Sequence, residues 1–248
     1  MRAGLVVSAL VVVVLAFAWG YFAGRLDVFP GPEIRALSAG VRDAAQPTPV
    51  AVQAPQRDSY WREKASFFAT SGAHADVVMV GDSITDGGEW GEMFPGVSIA
   101  NRGIDGDTTD GVLERMDGIL AVHAKKAFVM LGINDLSRGR DVEAVFADYR
   151  KIIARLGQSG SRVYVQSTLL CNQKLATAYS CSANSGKVVQ LNERLARLAS
   201  KEVVFVDLNG VLADAGGLKA ELTYDGLHLN GQGYRLWKGA IASYMRPD

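Results

Sequence analysis

The stretch Val77-Val78-Met79-Val80-Gly81-Asp82-Ser83-Ile84-Thr85 decides the fold. Four apolar residues, mostly β-branched, read as a buried strand. Gly81 breaks it. Ser83 then sits where the chain turns out of the sheet, with Asp82 and Thr85 available to cap the next helix. A serine there has its hydroxyl exposed at the sheet's end. Its backbone N–H faces the same space, near a helix N-terminus that favours developing negative charge. On these residues alone Ser83 reads equally well as a helix N-cap.

Outward from this stretch, strands and helices alternate. Residues 58–71 read as an amphipathic helix, with Tyr60, Trp61, Phe67 and Phe68 on its apolar side. Strands are expected at 77–80, 97–100, 127–131, 163–168 and 203–206. Helices are expected at 109–120, 142–156, 187–199 and about 231–245, with apolar residues at helical spacing. Strands separated by helices form right-handed βαβ units and a parallel sheet. Strands this apolar are covered on both faces. The fold class is therefore α/β, a three-layer α/β/α sandwich on a five-stranded parallel sheet of flavodoxin-like order.

In such folds the ligand site lies beyond the carboxyl ends of the strands. Those ends lead into Gly81-Asp82-Ser83, Asn101-Arg102-Gly103, Gly132-Ile133-Asn134-Asp135, Leu169-Leu170-Cys171 and Asp207-Leu208-Asn209. The histidines sharpen the choice, because there are only three. His74 and His123 precede strands and belong at the opposite edge. His228 comes after the last strand, and Asp225 lies close enough in a turn to hold its other ring nitrogen. Alone, His228 reads as a hydrogen-bonded loop residue. With Ser83 at the same edge it becomes the candidate base, completing the logic of nucleophile, base and orienting acid.

Four separated blocks now stand in order: Gly81-Asp82-Ser83-Ile84, Asn101-Arg102-Gly103-Ile104, Gly132-Ile133-Asn134-Asp135 and Asp225-Gly226-Leu227-His228. Together they resemble the SGNH hydrolases, the GDSL esterase/lipase family. The run from Asn101 to Thr109 is similar to the platelet-activating-factor acetylhydrolase-like branch. The resemblance covers about Ala75 to Met245. It implies Ser83 as nucleophile, His228 as general base then acid, and Asp225 as its orienter. It also implies an oxyanion hole from the N–H groups of Ser83 and Gly103 and the side-chain amide of Asn134. It implies no cofactor and no metal. Asp105, Asp107 and Asp110 admit a metal reading, but carboxylates near turns are more often solvated or capping. Asp82 reads as a support of its loop.

The N-terminal part has a different character. No charge occurs between Arg2 and Arg25, about the length that spans a bilayer. Residues 1–26 are expected to be a transmembrane signal anchor, with a cleaved signal peptide ending near Ala16-Phe17-Ala18 as the alternative. Residues 27–57 hold five of the chain's seven prolines and read as an unstructured tether. Residues 58–248 form the hydrolase domain. Cys171 and Cys181, the only cysteines, bracket a short polar segment. Downstream of an export segment a disulfide is expected between them. From these features the domain is expected outside the cytoplasm, anchored to a membrane, or secreted if the signal is cleaved.

Lys+Arg and Asp+Glu each number 26 in 248 residues. This zero net charge, with no basic run, excludes nucleic acid as the main partner. The expected partner is an ester. The reading is a serine esterase removing short acyl groups, above all acetyl, from a carbohydrate or cell-envelope glycan. The alternative is a lysophospholipase, lipase or thioesterase acting on longer chains. A third reading, a non-catalytic glycan-binding module, has the complete triad against it. The loop 169–186 has few large apolar residues, which suits polar substrates. Arg138 and Arg140 are expected to be solvated.

Overall fold

The structure, a computed structural model, describes residues 57–176 and 181–246, without the side chains of 181 and 182. Every described residue belongs to one compact unit that begins at Arg57. The expected anchor at 1–26 and the tether up to residue 56 lie outside the described residues. Among the described residues no helix is long and apolar enough to cross a membrane.

In chain order the elements are α1 (Ser59–Thr70), β1 (Val77–Gly81), α2 (Ser83–Asp86), α3 (Trp90–Met93), β2 (Ile99–Gly103), α4 (Thr109–Glu114), α5 (Met116–Leu120), β3 (Lys126–Met130), α6 (Ile133–Ser137), α7 (Val142–Gln158), β4 (Arg162–Gln166), α8 (Cys181–Ala196), β5 (Val203–Val206), α9 (Asn209–Leu212), a two-residue hairpin of β6 (Ala213–Asp214) and β7 (Gly217–Leu218), a 3₁₀ turn at Ala220–Leu222, and α10 (Gly231–Ile241). The five main strands pair in parallel in the order β2-β1-β3-β4-β5. This is the flavodoxin-like three-layer sandwich that the alternation of elements predicts.

Every residue of β1 and β3 is buried, which requires helices on both faces. Within the sheet the rings of Phe128 and Tyr164 stack 4.5 Å apart. Trp237 of α10 lies edge-on to Trp90 and donates to Gln166 Oε1. The register levels the carboxyl ends, with Gly81 beside Gly103 on one side and Met130 on the other. The residues just past β1, β2 and β3 therefore emerge at one edge.

Three features differ from expectation. The second strand starts later and runs to Gly103, because Asn101 and Gly103 are needed for ladder pairing and for turns beside α2. The helix expected over 109–120 is broken at Arg115 (φ −100°, ψ 16°). The break lets Gly118 press against the backbone of Phe68 and Ala69 in α1 while the Arg115 side chain turns inward. Arg57 is not a tether residue. It is built into the domain by bonds to Thr108, Asp110 and Glu114.

Two buried polar groups tie the sheet's edge down. The Tyr149 hydroxyl accepts from Leu131 N at 2.7 Å and donates to Leu131 O at 2.9 Å, holding the chain where it leaves β3. Asp82 is 1% exposed, and its carboxylate accepts from Ile84 N at 3.1 Å, capping α2. Burial raises the Asp82 carboxyl to about 7, against that N–H and with the charges of Asp107 and Asp135 adding to the rise.

Tyr149→Phe leaves the buried Leu131 N–H without an acceptor and is expected to lower stability by about 1–3 kcal/mol in urea denaturation. For Asp82 the folded pKa lies above the unfolded value, so the folded state binds the extra proton. Its contribution to stability is present below the unfolded pKa of 3.8 and is lost as pH rises through about 7. Asp82→Asn keeps an acceptor for Ile84 N–H and has no charge to bury. Its melting temperature is expected to fall less than the wild type's between pH 5 and 8; parallel curves would show that Asp82 does not titrate in this window.

Candidate active site

Ser83 is the first residue of α2, released by the turn at Gly81–Asp82. The Asp82 side chain points back into the protein, so Ser83 faces outward. Its Oγ lies 2.9 Å from His228 Nε2, and His228 Nδ1 lies 2.7 Å from Asp225 Oδ2. These three side chains, predicted from strand order and spacing, form one continuous hydrogen-bonded line. An ionised carboxylate only accepts. Nδ1 therefore carries the proton, and Nε2 offers its lone pair to the serine hydroxyl.

The three-residue spacing of Asp225 and His228 works because of their turn. Asp225 Oδ1 accepts from Leu227 N at 2.9 Å and His228 N at 2.8 Å. Gly226 sits at φ +90°, and a Cβ there would meet Ala176 N at 2.4 Å. Thr223 Oγ1 donates to His228 O and accepts from Gly226 N. Burial disfavours ionisation of Asp225. The His228 ring and the Leu227 and His228 N–H groups outweigh it, and the carboxyl sits below its usual range. Asn172 N donates to Gly226 O at 2.7 Å, so the loop that begins at Leu169 braces this turn. Cys171 in that loop is buried and disulfide-bonded. The chain holds one other cysteine, Cys181, whose side chain lies outside the described residues.

His74 and His123 stack on each other 5.3 Å apart, before β1 and β3. They take no part in this arrangement.

The expected anion-binding donors need one correction. Gly103 N donates to Asn101 Oδ1 at 2.8 Å, so its only hydrogen is committed. Gly103 is glycine for another reason: a Cβ there would meet Asp86 N at 2.2 Å, and α2 could not lie against β2. In the turn that follows, the N–H groups of Asp105 and Gly106 have no acceptor among the described residues, and Gly106 is the left-handed one (φ +67°), at the tip of the turn and without a side chain to screen its N–H. Ser83 N is likewise without an acceptor among the described residues. Asn134 sits in the first turn of α6, reached through Gly132 at φ +109°, and its Nδ2 donates to Asp107 O at 3.0 Å. That bond uses one of two amide hydrogens and places Asn134 beside the Asp107–Thr108 peptide, one residue past Gly106. Ser83, Gly106 and Asn134 are thus the candidate donor set. Sequence reasoning missed Gly106 because the run from Asn101 to Thr109 holds two glycines, and the Asn101 side chain decides between them.

Two of the three carboxylates near this turn are spent on arginines, and Asp105 is exposed. Asp107 pairs with Arg115 at 2.7 Å, and Asp110 with Arg57 and Arg140. Among the described residues no cluster of three His, Cys, Asp or Glu side chains could hold a metal ion. Arg140 is not solvated as expected: it also bridges Asp135 and Asp148. Arg138 is exposed but donates to Gly106 O at 2.8 Å.

The chain's resemblances agree with this geometry. A model of the GDSL-like lipase/acylhydrolase family matches residues 79–236. Platelet-activating factor acetylhydrolase IB subunit alpha1 of Bos taurus is 26% identical over 207 residues, covering 80% of this chain and 87% of the relative. An N-acylneuraminate cytidylyltransferase of Streptococcus agalactiae is 27% identical over 132 residues, but this chain spans only 30% of its length. A solved Streptococcus pneumonia structure described as a platelet activating factor superimposes with a TM-score of 0.68 at 27% identity, covering 75% of this chain and 91% of that one. A GDSL-like lipase from Bacteroides thetaiotaomicron shares the fold, with a TM-score of 0.63 at 20% identity over 75% of this chain and 96% of that one. With the family model spanning well over half of the chain and four of its blocks converging at one sheet edge, this protein belongs to the GDSL-like lipase/acylhydrolase family and is an ester hydrolase.

Proposed function

We propose that the protein is a serine esterase that removes short acyl groups, above all acetyl, from a carbohydrate or cell-envelope glycan. The observation that carries the mechanism is the unbroken line Ser83–His228–Asp225. His228 Nε2 takes the hydroxyl proton as Ser83 Oγ attacks the ester carbonyl. The tetrahedral oxyanion lies against the N–H groups of Ser83 and Gly106 and the Asn134 amide. The imidazolium formed is held by Asp225 and returns its proton to the leaving alcohol. An acyl-serine remains, and His228 activates water to hydrolyse it. No cofactor enters any step.

The substrate reading is supported by the relatives: one family of them is named for acetyl removal and another for N-acylneuraminate, an acylated sugar. The polar composition of residues 169–186, the last six of which open α8, favours the same class. The alternative, hydrolysis of longer acyl chains as in a lipase, lysophospholipase or thioesterase, has the lipid named in the platelet-activating-factor relatives on its side. The proposed setting is extracytoplasmic, with residues 1–26 as the anchor or, when cleaved, as a signal peptide. The uncharged run between Arg2 and Arg25 supports this, as does the disulfide at Cys171, a bond typical of oxidising compartments.

Hydrolysis of p-nitrophenyl esters from acetate to palmitate by the full-length chain is expected to peak at acetate and to disappear in Ser83→Ala. A maximum at long chains would instead support the lipid reading. Asn134→Ala is expected to lower kcat roughly 100- to 1,000-fold with little change in KM, because its amide acts on charge that exists only in the transition state. Asp225→Asn, which releases the proton-bearing tautomer of His228, is expected to cost on the order of a thousandfold or more in kcat in the same assay.

A further inference from the structure

Behind the three oxyanion donors lies one buried ion pair that the reaction does not itself use. Asp107 is fully buried, and the Arg115 side chain is 3% exposed. Arg115 Nε donates to Asp107 Oδ2 at 2.7 Å. Asp107 Oδ1 accepts from Trp61 Nε1 at 2.8 Å and from Thr108 N at 2.9 Å. The carboxylate is thus gripped from three directions: by the kink between α4 and α5, by α1 and by its own turn. The peptide of Asp107 comes directly after Gly106, and its carbonyl is the acceptor that orients the Asn134 amide. On the other side, Arg115 Nη2 donates to Arg102 O at 2.8 Å and to Gly81 O at 3.3 Å. These are the carbonyls just before Gly103 and just before Asp82-Ser83. One guanidinium therefore links the ends of β1 and β2 to the turn that carries Gly106.

Stability alone does not explain the pair. Arg115 Nη1 is buried with no acceptor among the described residues, a cost to folding. Buried ion pairs can often be replaced by apolar side chains without loss of stability. What an apolar pair could not do is join three separate acceptors in one plane, which is the property of the guanidinium fork. The break in the helix at Arg115 is what turns this side chain inward.

We infer that the Asp107–Arg115 pair is the positioning device of the oxyanion hole, holding Gly106, Asn134 and the strand ends behind Ser83 in one fixed relation. Neither residue touches substrate. The inference rests on the hydrolase reading of the site. It predicts that weakening the pair blurs the donor geometry while the Ser83–His228–Asp225 line, borne by other turns, stays intact.

The test compares the full-length wild type with Arg115→Lys, Arg115→Met, Asp107→Asn and the double variant Asp107→Asn/Arg115→Met, with Ser83→Ala alongside. Folding is checked by near-ultraviolet circular dichroism. The readouts are kcat and KM for p-nitrophenyl acetate, the pH profile of kcat, and inhibition by phenylboronic acid, which forms a tetrahedral adduct with an active serine. The expected result is a fall in kcat of roughly 30- to 300-fold with KM within about threefold. The pH limb stays in place, and boronate inhibition weakens in step with kcat. The double variant is no worse than the weaker single variant, because both changes remove one device. Folded Arg115→Lys and Asp107→Asn variants with kcat within about threefold of wild type would overturn the inference. So would a loss confined to KM, or a failure of all the variants to fold, which would assign the pair to folding alone. Undiminished activity in Ser83→Ala would instead reject the hydrolase reading itself.

Discussion

A parallel strand buried on both faces can show a functional side chain to solvent only where it ends. That constraint governs this domain. All of β1 is buried, so the chain first meets solvent at the turn after Gly81, where Ser83 stands. The register then leaves β2 and β3 ending level with β1. The turns that supply Gly106 and Asn134 therefore arise from the same edge as the nucleophile, and His228 comes to it from the loop before α10. Convergence is a consequence of sheet register and does not depend on nearness in sequence: Ser83 and His228 are 145 residues apart, yet Oγ and Nε2 lie 2.9 Å from each other.

Holding such an edge together is an electrostatic problem, because it gathers carbonyls and carboxylates that strands and short helices leave unpaired. The domain meets it with arginines. Arg115 answers Asp107 and two strand-end carbonyls, and Arg140 answers Asp110, Asp135 and Asp148. Arg57 extends the same network to the first residue described. The Asp225–His228 end of the hydrogen-bonded line is kept apart from this charge. It is held by the Asx-type turn of Asp225 and by Thr223, whose hydrogen bonds are local. Chemistry and scaffold thus use separate sets of polar contacts at one edge.

Four of the five main strands were legible because each is built on a short apolar run bounded by glycine or polar residues, whereas β2 was only half legible because Asn101-Arg102-Gly103 carries no strand pattern of its own. The meeting of Ser83, His228 and Asp225 was legible because strand order confines them to one edge and only one histidine comes after the last strand. The helix break at Arg115 was not legible, since the apolar periodicity of Val112, Leu113, Met116 and Ile119 continues across it. Arg140 and Arg57 read as solvated or unstructured because a lone arginine in sequence carries no mark of its partners. Gly103 and Gly106 could not be separated either: they stand three residues apart in one run, and the decision falls to the side chain of Asn101.

By itself, then, the sequence determined the α/β class, the sheet edge at which the polar turns gather and the three residues that meet there in one hydrogen-bonded line. These come from periodicity and from the direction in which parallel strands run, both local or topological properties. Only the tertiary structure decided which backbone N–H groups stay unpaired and which arginines leave the surface. Those outcomes depend on hydrogen-bond competition between residues distant in sequence, such as Asn134 with Asp107 and Arg115 with Gly81, and such competition leaves no pattern along the chain.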